Sequence, residues 1–322
     1  MAIDLAELPN DTQELKLFIV NQEKNHLQPL LQRQLKKSLR QSAHAMTTVR
    51  SPAMSDESIR NELSNRVDGQ QLARAKALYI EGIAKGRPKE AVEAYTGNRY
   101  TQHSTGVKDG RDGFIEFFTN FVRRNPKRDI EIVRGWEDGR YVFLHAYQSL
   151  NDGKQQYVTT DFFDTDDDGK IVEHWDVIGE LKGPNPSGRT QVDGATEITD
   201  LDRTEENKAI VKAMLENCLF PGARPDRIED YFAEDYLQHN PDVGDGLAVV
   251  RKLAQSKNRQ LVYNEIVLIV GRGNFEATLC KASWEGNPLA QVDIVRLEDG
   301  KIVEHWDNVE PVPENSVNSG KF

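Results

Sequence analysis

Asp168–Asp176 reads DGKIVEHWD, and Asp299–Asp307 reads DGKIVEHWD again. Nine identical residues in order mark a duplication, and the identity continues upstream. Tyr100, Gln102 and His103 match Tyr236, Gln238 and His239, while Val107, Asp109 and Gly110 match Val243, Asp245 and Gly246. The offset is 136 positions at these histidines and 131 at the final aspartates, so the copies differ by a net five residues in their middle loops. A unit of roughly 120 residues is too long for a solenoid repeat; it is a whole domain.

Each copy has the same grammar. A helix comes first, carried by Leu72, Ala75 and Tyr79 in the first copy and by Ile210, Val211, Met214, Leu215 and Cys218 in the second. Arg87-Pro88 and Arg224-Pro225 open a second short helix, since proline suits a helix start. A third helix is expected over Phe114–Arg124 and Leu247–Lys257. Four strands follow, with glycine turns at Gly139, Gly153 and Gly169 and counterparts at Gly271/Gly273, Gly286 and Gly300. Helices followed by an antiparallel meander predict an α+β class, here two tandem α+β domains. The expected boundaries are a helical extension over 1–65, a domain over 66–182, a linker over 183–203, a second domain over 204–312 and a tail over 313–322. Pro184, Pro186 and Gly188 mark the linker. In the extension, Leu15, Phe18, Ile19, Leu27, Leu30, Leu31, Leu35 and Leu39 recur at mostly helical spacing beside Arg33, Lys36, Lys37 and Arg40. Such a basic amphipathic helix packs on its own protein, lies on a membrane or binds a partner.

Composition narrows the function. The 322 residues carry 41 Lys+Arg against 52 Asp+Glu, a net charge of −11, and 38% are hydrophobic. That balance argues against nucleic acid as a partner, because a phosphate-tracking surface needs clustered cations. The longest apolar runs, such as Ile266–Val270, have strand length, so no transmembrane segment is expected. Lys16, the first cation, follows Asp4, Glu7, Asp11 and Glu14, which is not a secretory pattern. Cys218 and Cys280 are the two cysteines, with no CxxC spacing, so a reducing, cytoplasmic location is expected.

The chemistry concentrates in the last hairpin of each copy. Taking Glu298-Asp299-Gly300 as a three-residue loop, Asp293 would face His305 and Gln291 would face Asp307. A four-residue loop from Asp166 to Gly169 would set Asp161 opposite His174 and Thr159 opposite Asp176. On this register each copy gathers an Asp–His–Asp group on one face, with Ile302, Glu304 and Trp306 turned away. Burial raises an aspartate toward neutrality and histidine titrates there already, which suits acid–base chemistry. The alternative is a solvated surface hairpin. His103, His174, Asp161 and Asp176 also suit zinc or iron as residue types, but no local ligand spacing supports a site, and neither metal nor cofactor is expected.

Y-x-Q-H, V-x-D-G and the closing D-G-K-I-V-E-H-W-D resemble the SnoaL-like polyketide cyclase family of the nuclear transport factor 2-like superfamily, over about Asp68–Gly179 and Thr204–Pro311. The resemblance implies a cone-shaped α+β fold around a deep apolar pocket and a cofactor-free aldol condensation with an aspartate acid/base. That aspartate maps to Asp176 and Asp307, and a polar pair on the preceding strand maps to Thr159/Asp161 and Gln291/Asp293. The cyclases resembled carry histidine where Asp161 and Asp293 stand, so an imidazole has become a potential anion. The catalytic set expected is therefore Asp176, Asp307, His174, His305, Asp161 and Asp293, with Thr159 and Gln291 contacting substrate. His103 and His239 either bind substrate at the pocket mouth or fix the turn that follows them. The ligand expected is small and apolar or carbonyl-containing. Rival readings on the same fold are a non-catalytic binding or scaffolding protein and an isomerase or dehydratase. Trp175 and Trp306, with Glu173 and Glu304, are expected on the outer sheet faces, which would pair as an intramolecular pseudo-dimer; a further homo-oligomer stays open.

Overall fold

The computed structural model describes residues 69–256 and 260–322; the amphipathic extension expected over 1–65 lies outside the described residues. The first copy begins with α1 (Gln70–Ala77), which continues as a π-helical turn over Leu78–Ala84. Its first free amides need acceptors, and the Glu137 carboxylate takes those of Gly69 and Leu72. Next come α2 (Pro88–Tyr95), with proline in its first turn, β1 (Thr96–Gln102) and α3 (Gly110–Arg124). The meander then runs through β2 (Arg128–Asp138), β3 (Tyr141–Leu150), β4 (Gln155–Thr165) and β5 (Ile171–Glu180).

The second copy repeats this order. It comprises α4 (Thr204–Met214) with a π turn over Leu215–Leu219, a 3-10 turn over Pro225–Asp230, β6 (Phe232–Gln238) and α5 (Leu247–Ala254). β7 (Leu261–Arg272), β8 (Phe275–Trp284), β9 (Asn287–Glu298) and β10 (Lys301–Pro311) complete it. The two sheets have orders β1-β5-β4-β3-β2 and β6-β10-β9-β8-β7. The fold is α+β as expected, but the sheets are mixed. β1 and β6, the Gln-His segments, run parallel to β5 and β10 and were not read as strands. No helix among the described residues is long and apolar enough to cross a membrane.

The duplicated hairpin corrects the expected register. Asp299 and Gly300 both take positive φ (49° and 76°), so the loop is a two-residue Asp-Gly turn. Leu297 pairs with Ile302, but Arg296 pairs with Glu304, leaving Val303 as a bulge. Asp293 therefore faces Asp307, and His305 faces Val295, instead of the expected Asp293–His305 and Gln291–Asp307 pairs. The first copy agrees, with Asp161 facing Asp176, Phe163 facing His174 and a bulge at Val172. The error is two positions, so the Asp–His–Asp group keeps its common face. Ile302 does not: the bulge turns it inward, where it joins Val211, Leu215, Val295 and Leu297 under the helices.

The opposite faces of the two sheets share one apolar cluster. Trp136, Phe143, Phe162 and Trp175 of the first copy meet Phe275, Leu279, Val292, Ile294 and Trp306 of the second. Burying each such side chain contributes about 1.5–3 kcal/mol. Trp136 Nε1 donates to the Val270 carbonyl at 3.0 Å, and Asn308 Nδ2 donates to the carbonyls of Val158 and Val177 at 2.9 and 2.8 Å. These polar bonds fix the orientation that apolar contact alone leaves loose.

Glu276 on β8 is wholly buried, and neither carboxylate oxygen has a hydrogen-bond partner among the described residues. Burial pushes its carboxyl up to about 10. The folded chain thus holds a proton that the unfolded chain releases, so this group's contribution is lost as pH climbs from the ordinary glutamate range toward that value. Glu276→Gln removes the titration. Paired thermal melts should show the variant gaining on the native chain between about pH 6 and pH 9, by up to about 1.4 kcal/mol per pH unit.

Candidate active site

In the second copy, β9 supplies Asp293 and β10 supplies His305 and Asp307, whose i, i+2 spacing puts both on the inner face. Gln238, at the end of β6, sets the histidine. Its Oε1 accepts the amides of His239 and Asn240, both at 2.9 Å, while its Nε2 donates to Tyr236 Oη at 2.8 Å. Oε1 therefore faces His305 Nδ1 at 3.0 Å, and Nδ1 must carry the proton between them. His305 Nε2 then lies 2.9 Å from Asp293 Oδ1, a contact that needs a second proton. With His305 protonated the pair is an imidazolium–carboxylate couple. Burial lowers the His305 pKa, but the hydrogen bond and charge of Asp293, helped by Asp307, more than reverse it and leave it raised. Tyr263 Oη donates to both Asp293 oxygens at 2.9 and 3.0 Å, and Gln291 Nε2 lies 3.2 Å from Oδ1. Asp307 accepts from Asn240 Nδ2 at 2.7 Å. Burial raises its pKa and the charge of Asp293 adds to this, against the opposing pull of His305.

This group lines a cavity of about 460 Å³ whose walls also include Met214, Leu215, Phe232, Val250 and Leu261. Such a cavity suits a small apolar ligand and sets an acid/base group against it.

The first copy holds the same triad with different partners. His174 Nδ1 faces Gln102 Oε1 at 2.8 Å, and its Nε2 faces Asp161 Oδ1 at 3.0 Å. Asp161 is held by Tyr79 Oη at 2.9 and 3.0 Å, a phenol delivered by the first helix rather than by a strand. Tyr79 also bonds Thr159, the counterpart of Gln291. Burial raises the Asp161 pKa against the pull of His174. Asp176 differs: burial raises it, but the ammonium of Lys321, 3.0 Å away, with His174 and Ser104, brings it below the ordinary value.

The structure gives His103 and His239 neither the pocket-mouth nor the turn-fixing role: their rings bond a glutamate and a carbonyl from a distant segment. Both stack on the outer faces, on Trp175 at 4.9 Å and on Trp306 at 4.6 Å between ring centres. Their Nε2 atoms meet Glu173 and Glu304, each at 2.9 Å. As metal donors, Asp161/His174/Asp176 and Asp293/His305/Asp307 each gather within 4.8 Å; His103, included in the sequence reading, stands apart from them. Sequence reasoning missed Tyr79, Tyr263, Asn240 and Lys321 as site residues. Gln102 and Gln238 were visible only as repeat matches.

A family model for the SnoaL-like domain matches residues 77–174, within the first copy. Among solved structures, an LEH-like epoxide hydrolase from M. tuberculosis is similar at 18% identity, covering 35% of this chain and 84% of that one, with a TM-score of 0.30. An NTF-2-like protein of unknown function from Burkholderia xenovorans LB400 has 21% identity, covers 35% of this chain and 89% of that one, and has a TM-score of 0.29. An NTF2-like protein of unknown function from Mesorhizobium loti has 21% identity, coverages of 34% and 94%, and a TM-score of 0.29. No curated protein matches the sequence.

Asp293→Asn removes the anion that keeps His305 charged. The His305 midpoint, followed by NMR of the imidazole, should fall by roughly a unit or more. An unchanged midpoint would contradict the ion pair.

Proposed function

We propose that the second copy is a cofactor-independent acid–base enzyme that abstracts a proton next to a carbonyl in a small apolar substrate, leading to aldol-type cyclisation or isomerisation. The observation that carries this reading is the Asp293–His305–Asp307 group lining the apolar cavity. Asp307 is the acid/base. Its raised pKa makes it a stronger base than an exposed carboxylate and brings it nearer neutrality, where proton transfer is efficient. Asp293 and His305 position and tune it. Tyr236 lines the same cavity and its oxygen accepts from Gln238, which leaves its own O–H to donate to the enolate oxygen. Gln291 is buried outside the cavity lining and acts through its bond to Asp293.

Exchange of the α-protons of 4-phenylbutan-2-one for deuterium, followed by NMR, tests the proposal. The native chain should accelerate exchange, and Asp307→Asn should remove about 10²–10⁴-fold of that rate. Tight binding of the ketone without exchange would favour the ligand-binding protein instead.

We also infer that domains over 66–182 and 204–312, joined by 183–203, act as an intramolecular pseudo-dimer, supported by the apolar cluster that both sheets share. Light scattering should give the single-chain mass of 36.5 kDa. A strict dimer that buries both outer sheet faces between chains would overturn this.

A further inference from the structure

The segment that follows the last strand of each copy crosses to the other copy, and the two crossings are alike. After β5, Asn185 Nδ2 donates to the carbonyls of Gln238 and Val243 at 2.6 and 2.8 Å. Its Oδ1 accepts the amides of Ser187 and Arg189, both at 2.9 Å, and the Thr190 carbonyl meets His239 Nδ1 at 2.8 Å. After β10, Asn318 Nδ2 donates to the carbonyls of Ser104 and Val107 at 2.7 and 2.8 Å. Its Oδ1 accepts the Gly320 amide at 2.9 Å, and the Gly320 carbonyl meets His103 Nδ1 at 2.9 Å. Val107 and Val243 are repeat equivalents, as are the two histidines. Asn-Pro-Ser-Gly-Arg and Asn-Ser-Gly-Lys are thus two versions of one strap, each held by the loop after a Gln-His segment.

They part at the basic residue. Arg189 turns outward to Asp245 at 3.0 Å. Lys321 turns inward, 4% exposed, with its ammonium 3.0 Å from Asp176 Oδ1 and 2.6 Å from Glu310 Oε2. At the equivalent place Asp307 has the neutral Asn240 amide and opens on the cavity. A buried carboxylate without a countercharge is costly, and Lys321 supplies one where the second copy leaves room for a ligand. Asn318 and Gly320 anchor the strap through neutral backbone groups, so its seat does not depend on the lysine alone.

We propose that the first copy holds a second acid–base ligand site whose resident ligand is Lys321 of the same chain. The strap Asn318–Phe322 must leave before a small molecule reaches Asp176. The chain then presents one open acid–base site and one latched acid–base site. This rests on the acid–base reading of the Asp–His–Asp group, but its test needs no substrate.

The test is amidation of carboxylates by a water-soluble carbodiimide with glycine ethyl ester, mapped by mass spectrometry on the full chain. Asp307 should label while Asp176 is protected. Deleting Asn318–Phe322, or replacing Lys321→Ala with the Asn318 anchor kept, should raise Asp176 labelling by about tenfold or more and leave Asp307 unchanged. Thermal melts confirm that both variants are folded, and Lys321→Ala alone suffices if the deletion is not. The proposal fails if Asp176 labels as fast as Asp307 in the native chain, or stays protected in the folded variants. A protected Asp307 in the native chain would instead count against the open second pocket, with the Asp176 comparison still readable.

Discussion

The bulges at Val172 and Val303 decide which side of the sheet each residue of the duplicated nonapeptide serves. Strand side chains alternate strictly, so without the extra residue Ile302 and Trp306 would share a face. With it, Ile171 and Ile302 join the helix-side cores, and Trp175 and Trp306 join the cluster between the sheets. Between these two apolar demands, His174/Asp176 and His305/Asp307 are left facing the interior of each copy. Burial there raises Asp307, whereas in His305 and Asp176 it is outweighed by the charges of Asp293 and Lys321.

The outer face has its own division of labour. Each tryptophan carries a stacked histidine, and each histidine is bonded to the glutamate two residues before that tryptophan. The glutamates gain countercharge from Arg99 and Arg296. Burial raises both glutamates and these partners bring them below their ordinary range. The remaining imidazole nitrogen reads a strap carbonyl. Polar groups that look catalytic in sequence are therefore spent on holding the two copies' straps in place.

Inside, the copies keep the triad and change what surrounds it. The phenol on the buried aspartate comes from the first helix in one copy, as Tyr79, and from a strand in the other, as Tyr263. Thr159 is replaced by Gln291, and Ser104 by Asn240. Moving the tyrosine to the strand leaves Leu215 on the helix, and it lines the same cavity as Asp307. Lys321 completes the contrast, since it takes the one carboxylate that the second copy leaves facing a ligand-sized space.

The sequence by itself determined the duplication, the α+β class and the common face of Asp161, His174 and Asp176 with that of Asp293, His305 and Asp307. All three rest on identity or on the two-residue period of a strand, which survives a two-position slip. Tertiary structure alone decided the rest. β1 and β6 pair in parallel with strands about 70 residues away, as in Gln102 opposite His174, and no local pattern encodes such a partner. The bulges follow from packing on both faces at once, not from any feature of Val172 or Val303. Lys321 meets Asp176 across 145 residues of chain, because two straps fold back over each other's copy. A contact of that separation is set by how whole sheets pack, and a string of residues carries no sign of it.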